Sequence, residues 1–172
     1  MGLIAVGRGP GTFTGLRVGI ATARGLSLSL GIPVRGVCTL DALARGIAER
    51  ADGAAALAVI DGFRGEVFAA LYGPGGERLW EPFVSRPAGL VERLAELPEP
   101  PLAAGSGAVR FRQELSRGAV RIADDADPVH RVSARHLCAA AAAGEGGAPE
   151  PIYLRPPDAE RWRERDSSHR DE

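Results

Sequence analysis

Short apolar runs closed by glycine alternate with longer amphipathic stretches along most of this chain, and the two patterns predict different elements. The run LIAVG (Leu3–Gly7) is continuously apolar and ends on glycine, which suits a buried strand. After a glycine-rich loop, Thr14 is placed to cap a helix running to about Leu30, with Gly31 and Pro33 as its stop signals. PVRGV predicts a second strand. Thr39 then caps a second helix, LDALARGIAERA, with Asp41 in the first turn, where the helix dipole favours an anion. The first part of the chain therefore reads β-α-β-α.

From Ala55 the texture changes. AALAVID, EVFAALY and ERLWEPFVS are separated by the turns GFRG and GPGG, which are hairpin signals, so the three strands are expected to be antiparallel. A helix (PAGLVERLAEL), a strand (PLAAG), a helix (AVRFRQELSRG) and a strand (AVRIA) follow, and Ser133 caps a last helix, ARHLCAAAAAG. The order β-β-β-α-β-α-β-α is that of a ribonuclease-H-like domain, a unit that actin-like α/β proteins use twice. The first part matches only the second half of that order. The expected fold is an actin-like double domain: a remnant of the first domain over 1–53, truncated at its N-terminus, a second domain over 54–155, and a disordered tail over 156–172. LIAVG would then lack its central neighbour and leave an open sheet edge. Such an order specifies no function.

Composition narrows the chemistry. The 172 residues are 45% hydrophobic with a net charge of −1, so a real core is available and no basic footprint for nucleic acid stands out. Lysine is absent, which removes P-loop and Schiff-base lysine chemistry. Cys38 and Cys138 read as buried thiols of a reducing cytoplasm. The start MGLIAVGRGP is unlike a signal peptide, and the longest apolar stretch is interrupted by Arg24, so a cytoplasmic location with no membrane span is expected.

The glycine loop GRGPGTFTG offers backbone N–H groups at a helix N-terminus, an anion site in principle. It departs from the dinucleotide fingerprint, because Thr14 stands where the third glycine belongs and no acid follows at the required distance. Gly15, Gly19, Ala23 and Ser27 fall four apart, a row that permits close helix–helix approach. Spacing leaves open whether this row packs inside its own domain or receives a partner's helix. Asp61 reads as a turn-stabilising acid and Glu66 as a solvated hairpin charge. His130, His136 and Cys138 fit no common metal-ligand spacing, so no metal is expected, and no catalytic triad is recognisable.

Three segments carry a family resemblance. GRGPGTFTGLRVGIATARGLSLSLGIPVRGVCTLDALA resembles the signature region of the TsaB (YeaZ) family. VIDGFRGEVFAALY is similar to that family's Asp-x-Arg-x-Gly-Glu-Val-Tyr hairpin, with Gly62 and Phe63 in the middle and Phe68 in place of the tyrosine, and PIYLR to its Pro-x-Tyr-Leu-Arg ending. The family's initial strand-hairpin and first helix have no counterpart ahead of LIAVG.

The resemblance implies a non-catalytic activator subunit of the bacterial complex that forms N6-threonylcarbamoyladenosine beside the tRNA anticodon. Family members pair with the catalytic subunit TsaD, or as a homodimer, and the ATPase TsaE joins them; tRNA is met only through the complex. No cofactor of the chain's own is implied, and ATP or ADP would sit at the complex interface. Carried over by position, the interface residues are Gly9, Pro10, Gly11, Thr12, Phe13, Thr14, Gly15, Leu16, Arg17, Gly19, Ile20, Ala23, Arg24 and Ser27. The rival reading is a stand-alone actin-like hydrolase or kinase that binds ATP between its halves.

Overall fold

In the computed structural model, which describes residues 2–155, the strands form two sheets. The segment expected to be a disordered tail, 156–172, lies outside the described residues. The larger sheet is built on β3 (Ala56–Asp61), β4 (Val67–Tyr72) and β5 (Arg78–Ser85), an antiparallel meander as the glycine turns predict. β6 (Leu102–Ala104) and β7 (Arg121–Ile122) add in parallel on the other edge of β3, giving the order β5-β4-β3-β6-β7.

β4 is buried at every position because both faces of the sheet are covered. Successive side chains point to opposite faces. Leu57, Val59, Val67, Ala69 and Leu71 meet Leu90 and Leu94 of α3 (Pro87–Leu94). On the same face they meet Ala108 of α4 (Ser106–Arg110) and Leu115 of α5 (Arg112–Leu115). Ala56, Ala58, Phe68, Ala70 and Tyr72 meet Leu40, Leu43 and Ile47 of α2 (Thr39–Ala48) on the other face. This double coverage explains why the β3 and β4 sequences are apolar runs rather than alternating patterns.

The smaller sheet pairs β1 (Ile4–Gly7) in parallel with β2 (Val34–Val37), joined by the crossover helix α1 (Phe13–Leu30). Among the described residues β1 pairs with β2 alone. α6 (Ala134–Ala142) packs with α2 beside this sheet, through Val37, Ala42, Ala140 and Ala141 with Leu3, Ala5 and Leu137. α2 therefore serves both sheets, turning Leu40, Leu43 and Ile47 to the larger and Ala42 to α6.

Local differences from the sequence reading have physical causes. α1 begins at Phe13, with Thr12 rather than Thr14 at the cap position, and it ends on Gly31 in the left-handed region as expected. The helix predicted over AVRFRQELSRG breaks at Phe111, which leaves helical dihedrals (φ −108°, ψ 26°) while its side chain joins the core beneath α3. Burial of that ring outweighs helix continuity. The strand AVRIA shrinks to the two residues of β7. Ser133 caps α6 as predicted, accepting from the Arg135 N–H.

Candidate functional site

After α6 the chain returns across the smaller sheet in an irregular segment that ends near the β3–β4 hairpin. Gly147 exchanges two backbone hydrogen bonds with Gly36 of β2, both 2.9 Å, and the Arg8 guanidinium donates to the Ala148 carbonyl at 3.2 Å. The Ile152 N–H donates to the Arg8 carbonyl at 2.6 Å. Two glycines make room for this passage. A Cβ on Gly36 would lie 2.7 Å from the Ala148 oxygen, and one on Gly9, where φ is +110°, would lie 2.8 Å from the Ile152 oxygen.

The segment's side chains then divide. Ile152 and Leu154 pack against the core between α2 and the larger sheet. Tyr153 turns outward and stacks on Phe13, with ring centroids 5.6 Å apart. Arg17 lies 3.8 Å above the Phe13 ring and donates from Nε to the Tyr153 hydroxyl at 3.2 Å. Arg155 donates to the Gly62 carbonyl at 3.0 Å, pairs with the Glu66 carboxylate, and sits 5.7 Å from the Phe68 ring centroid. The glycine loop, the hairpin and the PIYLR ending, far apart in sequence, thus converge.

Glu66 is accordingly not the solvated charge its hairpin position suggests. It is half-buried against Arg155, 89 residues away, a separation that hides the pairing from any local pattern. Asp61 does act as a turn residue. Its Oδ1 accepts from the Phe63 N–H at 2.9 Å and its Oδ2 from Arg110 at 2.6 Å. Phe63 and Arg64 both have positive φ, so the carboxylate steadies a strained turn.

Along α1 the residues carried over as an interface separate by environment. Gly9 and Pro10 are buried under the return segment, whereas Gly11, Thr12, Phe13, Thr14 and Gly15 are exposed. Leu16 and Ile20 face the core; Arg17 and Arg24 face solvent. The small-residue row winds inward. Gly15 is exposed, Gly19 stands with its Cβ position 4.0 Å from Val6, Ala23 is buried and Ser27 is half-buried. Phe13, Val18, Leu26, Leu28 and Leu30 are instead the large apolar side chains left outside, with Leu28 87% exposed.

A separate cleft of about 890 Å³ opens between α2, α6 and the β4–β5 turn. The Tyr72 hydroxyl donates to Asp41 at 2.6 Å, and Arg78 donates to both Asp41 oxygens at 2.7 and 2.9 Å. Burial, and then the neighbouring Asp41 charge, push the Tyr72 phenol far above its ordinary value. The same two causes raise the Cys38 thiol. Burial works against the Arg78 charge, but its bonds to Asp41 outweigh this and hold it protonated. Elsewhere on the wall Arg45 pairs with Glu145 and Arg135 with Glu49. Slight desolvation of the Glu49 carboxyl is overcome by Arg135 and His136, which lower it. The charges of this cleft neutralise one another.

Among the described residues, His130, His136 and Cys138 form no group of three ligands. His130 accepts the Gly105 N–H at Nδ1 (3.0 Å) and bonds the Asp124 carbonyl through Nε2 (2.9 Å), while His136 faces Glu49. Cys138, expected to be buried, is exposed, because the alanine-rich α6 turns only Ala140 and Ala141 fully inward.

Comparison with known proteins adds the family. Residues 1–126 match the family described as "TsaD: tRNA N6-adenosine threonylcarbamoyltransferase". Escherichia coli "tRNA threonylcarbamoyladenosine biosynthesis protein TsaB" is 37% identical over 108 residues, 60% of this chain and 47% of that protein. The chain belongs to this family, in its TsaB (YeaZ) branch. An uncharacterized protein of Mycobacterium tuberculosis is 35% identical over 158 residues, covering 91% of this chain and 65% of its own length. YeaZ from Pseudomonas aeruginosa superposes with a TM-score of 0.69 at 28% identity, over 90% of this chain and 74% of that one. The fold is thus the actin-like double-domain α/β architecture. The chain spans about half the length of the E. coli protein. Among the described residues no helix is long and apolar enough to cross a membrane.

Proposed function

We propose that this chain is a non-catalytic subunit in the formation of N6-threonylcarbamoyladenosine beside the tRNA anticodon, acting in the cytoplasm by pairing through α1 with a TsaD-type catalytic subunit. TsaE joins the assembled pair, tRNA is met only through it, and any ATP or ADP is held at the assembled interface. The observation that carries the reading is the apolar exterior of α1. Val18, Leu26, Leu28 and Leu30 stand 48–87% exposed, spread around the outer side of one helix, and apolar area left open in this way favours contact with a partner. Gly15 and Gly25, both exposed, lower the helix profile so that another backbone can come close. The homologues' naming for tRNA threonylcarbamoyladenosine biosynthesis supports the process. The non-catalytic role is supported by Asp61, whose two oxygens are both engaged within the fold.

The test is affinity for the TsaD-type subunit of the same organism, measured by calorimetry. Val18→Glu and Leu26→Glu place charges at exposed sites, so they spare the fold and weaken association by about tenfold or more. Gln113→Ala, on the far side of the larger sheet, leaves affinity unchanged. Ala23→Leu is unsuited to this test because Ala23 is buried in the chain's own packing. Undiminished binding of both glutamate variants sinks the α1 assignment. Self-association abolished by the same changes, with no binding to the catalytic subunit, replaces the proposed partner with a second copy.

A further inference from the structure

Residues 146–155 link two parts of the molecule that share no strand pairing. At one end Gly147, Ala148 and Ile152 hold Gly36 and Arg8 of the smaller sheet. At the other, Arg155 holds Gly62 and Glu66 of the larger sheet's hairpin. We propose that this segment is a conformational strap, in which the Arg155–Glu66 ion pair fixes the N-terminal end of α1 relative to that hairpin and so holds the Phe13–Arg17–Tyr153 cluster in place.

The linkage is short. Only Tyr153 and Leu154 lie between the backbone bond of Ile152 and Arg155, so beyond the reach of the Arg155 side chain itself there is little chain to absorb a shift at either end. Ile152 and Leu154 point into the core on one side of this stretch, and Tyr153 points out between them to Phe13. Releasing Arg155 frees the backbone that orients Tyr153. The anchor itself is well sheltered: the side chains of Arg155 and Glu66 are only 18% and 26% exposed, so solvent and salt screen them less than a surface pair. The Gly62 carbonyl and the Phe68 ring complete the guanidinium's surroundings. A pair serving the hairpin alone would need neither the Ile152 bond nor the Tyr153 stack to respond when it is broken.

Hydrogen exchange of the full chain separates the two cases. In Arg155→Ala, amides of 146–153 and of 8–17 should exchange about tenfold faster, while those of β3 and β4 stay unchanged as an internal reference. Glu66→Gln, which keeps an acceptor for Arg155, should act in the same direction with a smaller effect, and Arg155→Lys should fall nearer the parent. Faster exchange confined to 62–66 and 154–155, with 8–17 unaltered, overturns the proposal. If Arg155→Ala also loosens β3 and β4, the same comparison is made in Glu66→Gln and decides it.

Discussion

Gly36 tests the return segment most directly, because its substitution by alanine has a calculable sign. It lies mid-strand in β2, opposite Val6, in ordinary extended backbone where alanine is well tolerated. If space were open, Gly36→Ala would stabilise the protein by about 0.5–1 kcal/mol through loss of unfolded-state entropy. The space is closed. The new Cβ would meet the Ala148 oxygen at 2.7 Å, the Arg8 Cδ at 2.9 Å and the Pro149 Cα at 3.1 Å. Arg8 can swing aside, but the two backbone atoms move only if the return segment lifts. Lifting it sacrifices both Gly36–Gly147 bonds, each contributing about 1 kcal/mol, and adds packing strain of about 1 kcal/mol. The net expectation is a loss of about 2 kcal/mol, a fall of about 1 M in the urea midpoint. Gly25→Ala is the matched control: nothing lies within 4 Å of its Cβ position in α1, so it should stabilise by up to about 1 kcal/mol. Urea unfolding followed by circular dichroism, with hydrogen exchange at 34–37 and 146–149, reads both. Equal midpoints for the two variants, or unaltered exchange at 146–149 in Gly36→Ala, would refute the steric argument.

Stability should decline at alkaline pH, and Tyr72 should carry much of the decline. Tyr72 and Cys38 hold their protons more tightly folded than unfolded, so their contribution is whole below the ordinary values of 10.0 and 9.0 and is lost as pH rises toward the raised folded values. Each group adds a slope of about 1.4 kcal/mol per pH unit in that window; Tyr72→Phe should flatten the urea midpoint against pH above about pH 10, and parallel curves would contradict this. Of the two thiols, Cys138 should react with a disulfide reagent at once and Cys38, 4% exposed, only on unfolding. Two fast thiols in the native protein would mean that the α2 N-terminus opens readily.

Where element identity was legible in the sequence, local chemistry decided it. The turns GFRG and GPGG fix the β3–β4–β5 meander, Gly31 ends α1, and Ser133 caps α6. Prediction failed where tertiary packing overrode the local pattern. Phe111 breaks a helix to bury its ring, and the alanine-rich α6 has no periodicity from which the exposure of Cys138 could be deduced. The small-residue row on α1 is a pattern with an ambiguous meaning. Spacing of four locates a row on a helix but not its azimuth relative to the sheet, and here the row turns from solvent at Gly15 to the core at Ala23.

The meeting of the three motifs was less legible, because each residue had a sufficient local explanation. Glu66 fits a hairpin turn, Gly9 a loop and Arg155 a polar position after the apolar run IYL, and none needs a distant partner until the fold brings them together. Gly36 is the exception. Glycine inside an apolar strand weakens it and offers no side chain to pack, so it signals that another backbone passes close by. PVRGV carried that signal, and the passing backbone is Gly147 to Pro149. The same reasoning separates the two faces of α1. Its inward face is accounted for by β1 and β2, and its N-terminal end by Tyr153, which leaves Val18, Leu26, Leu28 and Leu30 as the apolar surface that nothing else in the described chain covers. That remainder, rather than the small-residue row by itself, is the reason the proposed function places a partner's contact on α1.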